Sequence, residues 1–330
     1  MSKTIGIIGG GSWATALLKI LQDNEQSICW WMRSKDQINH IINHNKNPNY
    51  LSSVSINNNN LSLTDNVNEL IQKSEVLLIA TPSAFIDDVF KNVNKEQLTN
   101  KLIISAVKGI IPQTNQLPAH YFCDKFNIEP TQLLIISGPC HAEEVAMEKL
   151  SYLTVACADL NNAEYIANRI QNRYIKPSVS NDLEGVELSS VLKNVYAVAA
   201  GVCSGLGYGD NYIAVLIANC IRELEHIVKS IYPNSNSIID TAYLGDLLVT
   251  AYSQHSRNRR FGVMIGKGYS VKASQMEMNM IAEGYYATKC IDILNNQNSI
   301  DAPIAKAMHH ILYDKIAPKV EIKILSDLMS

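Results

Sequence analysis

The stretch IGIIGGGSWATALLKILQ, residues 5–22, decides the fold of the first half of the chain. A short β-rich run, Lys3 to Ile8, leads straight into Gly9, Gly10 and Gly11, followed by Ser12, Trp13 and Ala14. A helix over Thr15 to Gln22 then follows. Glycine-rich turns between a strand and a helix fit the G-x-G-x-x-G/A pattern of a dinucleotide site. Gly9 permits the tight turn, Gly11 lets the backbone approach a pyrophosphate, and Ala14 is small enough for helix and strand to pack closely. The helix N-terminus then offers N–H groups and the positive end of a dipole to phosphates. A purely structural glycine turn is the alternative.

Working outward, five more β-rich runs alternate with helical stretches: Ser27 to Met32, Glu75 to Ala80, Lys101 to Ala106, Leu133 to Ser137 and Tyr152 to Ala158. Near-continuous apolar strands separated by helices predict a mainly parallel sheet covered on both faces. From about residue 182 the pattern becomes helical, with amphipathic segments over Ile213 to Ile231, Ile239 to Tyr252, Ala273 to Leu294 and Pro303 to Ile316. The predicted class is therefore α/β, with a Rossmann-type domain over 1–182 followed by an all-helical domain over 183–330. The Asn-rich run Asn57 to Asn60 reads as a solvated loop tip.

The composition narrows the function classes. A length of 330 residues suits two domains. A formal net charge of −3 gives no global field toward nucleic acid or an anionic membrane, so any anion must be held locally. The seven cysteines show no CxxC spacing and predict neither a zinc site nor a disulfide framework. His141-Ala142-Glu143 resembles the HxE of zinc deaminases, but the matching Pro-Cys-x-x-Cys is absent, so no metal is expected. No room for a signal peptide precedes Ile5, and no stretch looks long and apolar enough to span a bilayer, which predicts a cytoplasmic protein.

Three features carry chemistry. Lys193 is the one charged residue in LSSVLKNVYAVAAGVCSGLGYG, residues 188–209. Leu188, Val191, Leu192, Val195, Val198, Ala199 and Val202 mark one apolar helix face, while Lys193 sits on another with Ser189, Ser190, Ala197, Ala200 and Ser204. A half-buried lysine there would have its pKa lowered toward the range of a general acid/base. A lysine snorkelling to the surface fits the same pattern. Asp246, Thr250, Ser253 and Arg257 recur at i, i+4, i+7 and i+11, aligning polar groups on one predicted helix face that ends in the basic cluster SRNRR, residues 256–260. Such a cluster suits a small phosphate, or else compensates the helix dipole. Lys108 and Gly138 follow predicted strands and so lie at the carboxyl edge of the sheet, where ligands bind in open α/β folds. At the end of the second strand, where an NAD-selective site would carry an acid, stand Arg33 and Ser34. Arginine there can pair with a 2′-phosphate, so NADP is expected to be accepted, alongside NAD.

The sequence resembles the bacterial-type NAD(P)-dependent glycerol-3-phosphate dehydrogenases. The likeness is carried by GGGSWATAL (9–17), AVKGI (106–110), SGPCHAEEVA (137–146), VLKNVYAVAAG (191–201), GDN (209–211), LGDLLVTAYSQHSRNRRFG (244–262) and AEG (282–284). It implies a Rossmann domain, a helical substrate domain and a reaction in the cleft between them. It further implies reversible reduction of dihydroxyacetone phosphate to sn-glycerol 3-phosphate with NAD(P)H and no metal, supplying glycerophospholipid synthesis, by a homodimer. Lys193 matches the family's proton donor and acceptor. Ser12, Trp13, Arg33, Ala142 and Glu283 match cofactor contacts, beside Gly9 and Gly11 of the glycine motif. Lys108 and Arg257 match positions touching both cofactor and substrate, and Gly138, Asp246, Ser256 and Asn258 match the substrate pocket. The chain departs from the family pattern at Cys140 (usually serine), His141 (usually aromatic), Ala14 (usually the third glycine) and Ser189 (usually glycine). Two rivals stand beside this reading. One is a reductase of a non-phosphorylated 2-keto acid, which the SRNRR cluster disfavours. The other is a dinucleotide-binding scaffold without turnover, which would have no use for Lys193, Asp246 and the basic cluster together.

Overall fold

The computed structural model describes residues 4–24, 26–278 and 282–329. Lys3, at the start of the first predicted strand, and residues 279–281, inside the predicted helix Ala273 to Leu294, lie outside the described residues. The chain forms two compact units. One comprises the residues up to Val107 together with Gln116–Leu183, and the other Lys108–Asn115 with the residues from Glu184 onward.

The first unit is built on one eight-stranded sheet: β1 (Ile5–Ile8), β2 (Ile28–Trp31), β3 (Leu61–Thr64), β4 (Val76–Ile79), β5 (Leu102–Ser105), β6 (Leu133–Ser137), β7 (Ser151–Ala156) and β8 (Ile175–Ser180). Their spatial order is β3-β2-β1-β4-β5-β6-β7-β8. All neighbours run parallel except β6 and β7. Helices α1 (Ser12–Asp23), α2 (Lys35–His44), α3 (Val67–Lys73), α4 (Ile86–Phe90), α5 (Pro118–Phe126), α6 (Ala142–Ala146) and α7 (Leu160–Ile170) accompany the sheet. β1, β4, β5 and β6 are buried at every residue, the signature of strands covered on both faces. Strand order reverses at β1, which lies between β2 and β4. The crevice at the carboxyl end of β1 is therefore the switch point where open α/β sheets bind ligands.

Two strands escaped the sequence reading. β3 is only four residues long, too short to show a period. β8 reads IKPSVS and carries Pro177, which a central strand would not accept. At the sheet edge, the missing N–H costs no ladder bond.

The second unit is helical: α8 (Leu183–Gly205), α9 (Asp210–Ile231), α10 (Asp246–Tyr252), α11 (Arg257–Gly266), α12 (Val271–Glu277), α13 (Glu283–Asn298), α14 (Pro303–Leu312) and α15 (Pro318–Leu328). The predicted helix Ile239 to Tyr252 is in fact a π turn over Thr241–Gly245 followed by α10, and α15 was not expected. The largest correction concerns α8. Residues 185–203 are buried without a break, so this helix has no solvent-facing side and is not amphipathic. At 23 residues it is long and apolar enough to cross a membrane by length and composition, contrary to the sequence expectation. Its apolarity is accounted for by burial within the protein. Close approach of α11 explains part of this. A Cβ on Gly201 would collide with the Arg259 carbonyl, and one on Gly262 with the Val198 carbonyl.

Candidate active site

In the first unit, β1 delivers the chain into the glycine turn. Gly9 has φ +131°, and a Cβ there would lie 2.7 Å from the Ala80 carbonyl oxygen, so both conformation and space require glycine. Gly11 is different. It has φ −84°, which any residue adopts, and a Cβ on it would meet nothing within 4 Å. Neither strain nor packing asks for glycine at position 11. The bare backbone leaves open space at the N-terminus of α1, where a pyrophosphate needs to approach.

The turn's carbonyls are tied back by residues the sequence reading did not single out. Trp30 Nε1 donates to Gly9 O at 2.6 Å. Gln37 Nε2 and Asn47 Nδ2 donate to Gly10 O at 2.8 and 3.2 Å, and Thr15 Oγ1 donates to Gly11 O at 3.0 Å. Asn47 Nδ2 also donates to Thr15 Oγ1 at 2.8 Å, so the supports brace one another. With its carbonyls occupied behind it, the turn presents N–H groups rather than lone pairs to an anion. Asn47 lies 36 residues beyond Gly11, and no local pattern marks it. Beside the turn, the indole Nε1 of half-buried Trp13 is buried with no hydrogen-bond partner, an orphan donor of the kind a bound ligand satisfies. These features fit a dinucleotide.

The remaining first-unit candidates are spread along the same sheet edge. Arg33 is exposed, its guanidinium 5.7 Å from the Phe85 ring centroid. Ser34 caps α2 by accepting from Gln37 N at 3.2 Å, so its hydroxyl is already engaged. Gly138 follows β6 with φ +133°, and a Cβ there would lie 2.7 Å from the Tyr152 carbonyl oxygen. Ala142 is buried in the first turn of the short helix α6.

The second unit assembles the charged candidates. Lys193 is 4% exposed, deeper than the half-buried position expected from the sequence, because α8 is enclosed on every side. Its Nζ donates to Asp246 Oδ1, while Lys108 Nζ donates to Asp246 Oδ2 at 3.0 Å. One buried carboxylate thus bridges two ammonium groups from sequence positions 85 residues apart. Burial is the largest influence on Lys193 and pushes its ammonium down. The Asp246 carboxylate opposes this, the Lys108 charge adds to it, and the pKa comes to rest at about 7, against the usual 10.5. Burial alone would raise Asp246, but the charges of Lys108 and Lys193 outweigh it and hold the carboxyl below its ordinary value. An amine poised near neutrality is the one property a reversible proton donor needs.

Asparagines lock the surrounding segments. Asn194 Nδ2 donates to the Lys108 carbonyl at 2.6 Å, and Asn194 Oδ1 accepts from Asn258 Nδ2 at 2.8 Å. Asn258 Oδ1 accepts in turn from Gly284 N at 2.9 Å, next to Glu283 at the start of α13. The Asn258 side chain therefore ties α8, α11 and α13 together, and the sequence reading, which placed it in the substrate pocket, had not seen this role. Asn194 was missed altogether, although it follows Lys193 directly.

The predicted continuous helix from Asp246 to Arg257 does not exist. α10 stops at Tyr252, Ser253 turns extended, and Ser256 caps a new helix by accepting from Arg259 N at 3.2 Å. The basic cluster thus opens α11 instead of closing α10, and dipole compensation is excluded as its reason. Cations at a helix N-terminus are unfavourable by themselves. Arginines in the first turn, beside its amides, make electrostatic sense when an anion binds there.

With this geometry in hand, comparison with known proteins is consistent across the whole chain. Residues 4–163 match the NAD-dependent glycerol-3-phosphate dehydrogenase N-terminus, and residues 182–323 match the C-terminus of the same family. A glycerol-3-phosphate dehydrogenase [NAD(P)+] of Staphylococcus carnosus is 32% identical over 98% of both chains. One of Limosilactobacillus reuteri is 31% identical over 99% of this chain and 98% of its own. A crystal structure of glycerol-3-phosphate dehydrogenase from Coxiella burnetii superposes with a TM-score of 0.91 at 26% identity, covering 98% of each chain.

Proposed function

Because the chain belongs to the NAD-dependent glycerol-3-phosphate dehydrogenase family, we propose that it interconverts dihydroxyacetone phosphate and sn-glycerol 3-phosphate, with Lys193 as the general acid/base. NAD(P)H, when bound, supplies the hydride for reduction of the ketone carbon. Gly9, Gly11, Ser12, Trp13, Arg33, Ala142 and Glu283 are the residues that would hold the cofactor. Lys193 gives its proton to the oxygen on which negative charge develops and takes it back in the oxidative direction. Lys108 stabilises that charge, and Asp246 orients both amines. Arg257, with Ser256 and the first-turn amides of α11 at Asn258, grips the phosphate, so that binding energy far from the carbonyl aligns it for hydride transfer. Gly138 joins the proposed substrate pocket by its family position, while its lack of a side chain answers to its φ of +133° and to the Tyr152 carbonyl. Glycerol 3-phosphate formed in this direction is the backbone unit that glycerophospholipid synthesis consumes, and supplying it is the proposed role.

The observation that carries the reading is the buried bridge of Lys193 and Lys108 across Asp246. Its test is oxidation of NADH and of NADPH, followed by absorbance, with dihydroxyacetone phosphate as acceptor. The expected result is turnover with both cofactors, and a fall of several orders of magnitude in Lys193→Met with the fold retained by circular dichroism. Near-normal turnover in that variant would refute the assignment. A strict preference for NADH would remove the role given to Arg33.

A further inference from the structure

Ser189 stands one helical turn before Lys193 on α8, at the i, i+4 spacing that places two side chains on the same face. Side chains on a helix lean toward its N-terminus, so the Lys193 stem extends back over the turn that Ser189 occupies. Ser189 is 1% exposed, and its Oγ is buried with no hydrogen-bond partner. The adjacent hydroxyl behaves differently. Ser190 Oγ donates to the Glu187 carbonyl at 2.7 Å, the ordinary way a serine inside a helix satisfies itself. A second serine left unsatisfied at full burial carries a desolvation cost that packing does not return.

The proposed substrate has three polar ends to place. Its phosphate is dianionic and goes to the arginines at the start of α11. Its carbonyl oxygen goes to Lys193. What remains is the neutral hydroxymethyl group, whose oxygen lies within roughly 3–4 Å of the carbonyl oxygen in any conformation, as standard bond lengths dictate. A neutral hydroxyl both donates and accepts, and a partner with both capacities open can meet it in either sense. Around Lys193 the amines only donate, and both oxygens of Asp246 are already taken by those amines. Thr250 Oγ1 gives its proton to the Asp246 carbonyl at 2.6 Å and is left able only to accept. Ser189 is the neighbouring group with capacity in both senses.

We infer that Ser189 Oγ hydrogen-bonds the terminal hydroxyl of the ketose phosphate and is a specificity-determining residue of the acid/base pocket. This rests on the dehydrogenase reading above and adds to it a preference for hydroxymethyl over methyl ketones.

The experiment measures kcat/KM for dihydroxyacetone phosphate and for hydroxyacetone phosphate, which lacks only the terminal hydroxyl, in the unaltered enzyme and in Ser189→Ala. Alanine keeps the Cβ and favours the helix, so the variant is expected to melt no lower than the parent. The expected result is a loss of about five-fold or more for dihydroxyacetone phosphate, the scale of one neutral hydrogen bond, with hydroxyacetone phosphate changed less than about two-fold, the margin within which no hydrogen bond is lost. Equal losses on both substrates, or no loss on either, would overturn the assignment while leaving the dehydrogenase reading intact. A parent enzyme that turns over neither substrate would overturn both. A lower melting temperature in Ser189→Ala would identify the hydroxyl as a structural group and sink the inference.

Discussion

The pH dependence of ketone reduction tests the central lysine directly. An amine shifted from 10.5 to about 7 holds its proton less tightly by about 5 kcal/mol, at 1.36 kcal/mol per pH unit, the net of burial, the opposing Asp246 carboxylate and the Lys108 charge. In the proposed mechanism reduction needs the protonated form, so activity is expected below pH 7 and is lost as pH rises through it. Oxidation needs the free amine and shows the reverse, being lost as pH falls through 7. The protonated fraction is about one half at pH 7 and about 1% at pH 9, so kcat/KM for reduction should fall about 50-fold across that interval. A lysine at its ordinary value would lose only about 3%. The second ionisation of the substrate phosphate, near pH 6, lies outside this window. Initial rates at subsaturating dihydroxyacetone phosphate and saturating cofactor, in overlapping buffers from pH 6.5 to 9.5, give the profile. A flat profile to pH 9 would refute the reasoning, whatever the activity at pH 7. Asp246→Asn supplies the internal control. Its carboxylate raises the Lys193 value, so its loss should move the remaining inflection below 7.

The glycine turn separates two roles. Gly11→Ala should leave the melting temperature unchanged and raise the KM for NADH and NADPH, because its Cβ enters open space; an unchanged KM would show that no cofactor approaches there. Gly9→Ala, forced into φ +131° against the Ala80 carbonyl, should instead cost about 1–3 kcal/mol of stability by thermal melting. Arg257→Ala should reduce kcat/KM for dihydroxyacetone phosphate by about 100-fold or more, the value of paired charged hydrogen bonds, while leaving unphosphorylated dihydroxyacetone nearly unaffected. Equal effects on the two substrates would remove the phosphate from α11.

Legibility in the sequence followed the range of the interactions. The glycine turn and the first strands were readable because strand, turn and helix N-terminus are contiguous, and the positive φ that glycine at 9 supplies is a local requirement, although the Ala80 carbonyl adds a distant one. Lys193 was readable as an isolated charge, but its depth was not. Depth is set by what surrounds α8, including the approach of α11 at Gly201 and Gly262, which a single helix's periodicity cannot contain. The spacing of Asp246, Thr250, Ser253 and Arg257 fits one helix as well as two, and only the extended turn at Ser253 decides between them. The bracing of the turn by Trp30, Gln37 and Asn47, and of the site by Asn194, depends on hydrogen bonds between distant positions. Uncharged amides leave no signal of spacing. β8 was hidden for the opposite reason, since an edge strand tolerates the proline and polar residues that ordinarily mark a loop.

The charge count of the buried bridge links its stability to its chemistry. Two ammonium groups face one carboxylate, so with both lysines protonated the cluster carries an uncompensated positive charge in a desolvated place. The free enzyme relieves that excess by letting Lys193 lose its proton near neutrality. In the proposed reaction, negative charge developing on the ketone oxygen relieves it in the other way, and this relief exists only as the reaction proceeds, which is the condition for lowering a barrier instead of merely tightening binding. Lys108 is then more than a contact, because its charge is part of what holds the Lys193 value down. Removing it in Lys108→Met should cut turnover and also move the inflection of the reductive profile to higher pH, opposite to the shift expected from Asp246→Asn. An inflection left in place by both variants would mean that burial alone sets the lysine's acidity and that the bridge plays no electrostatic part.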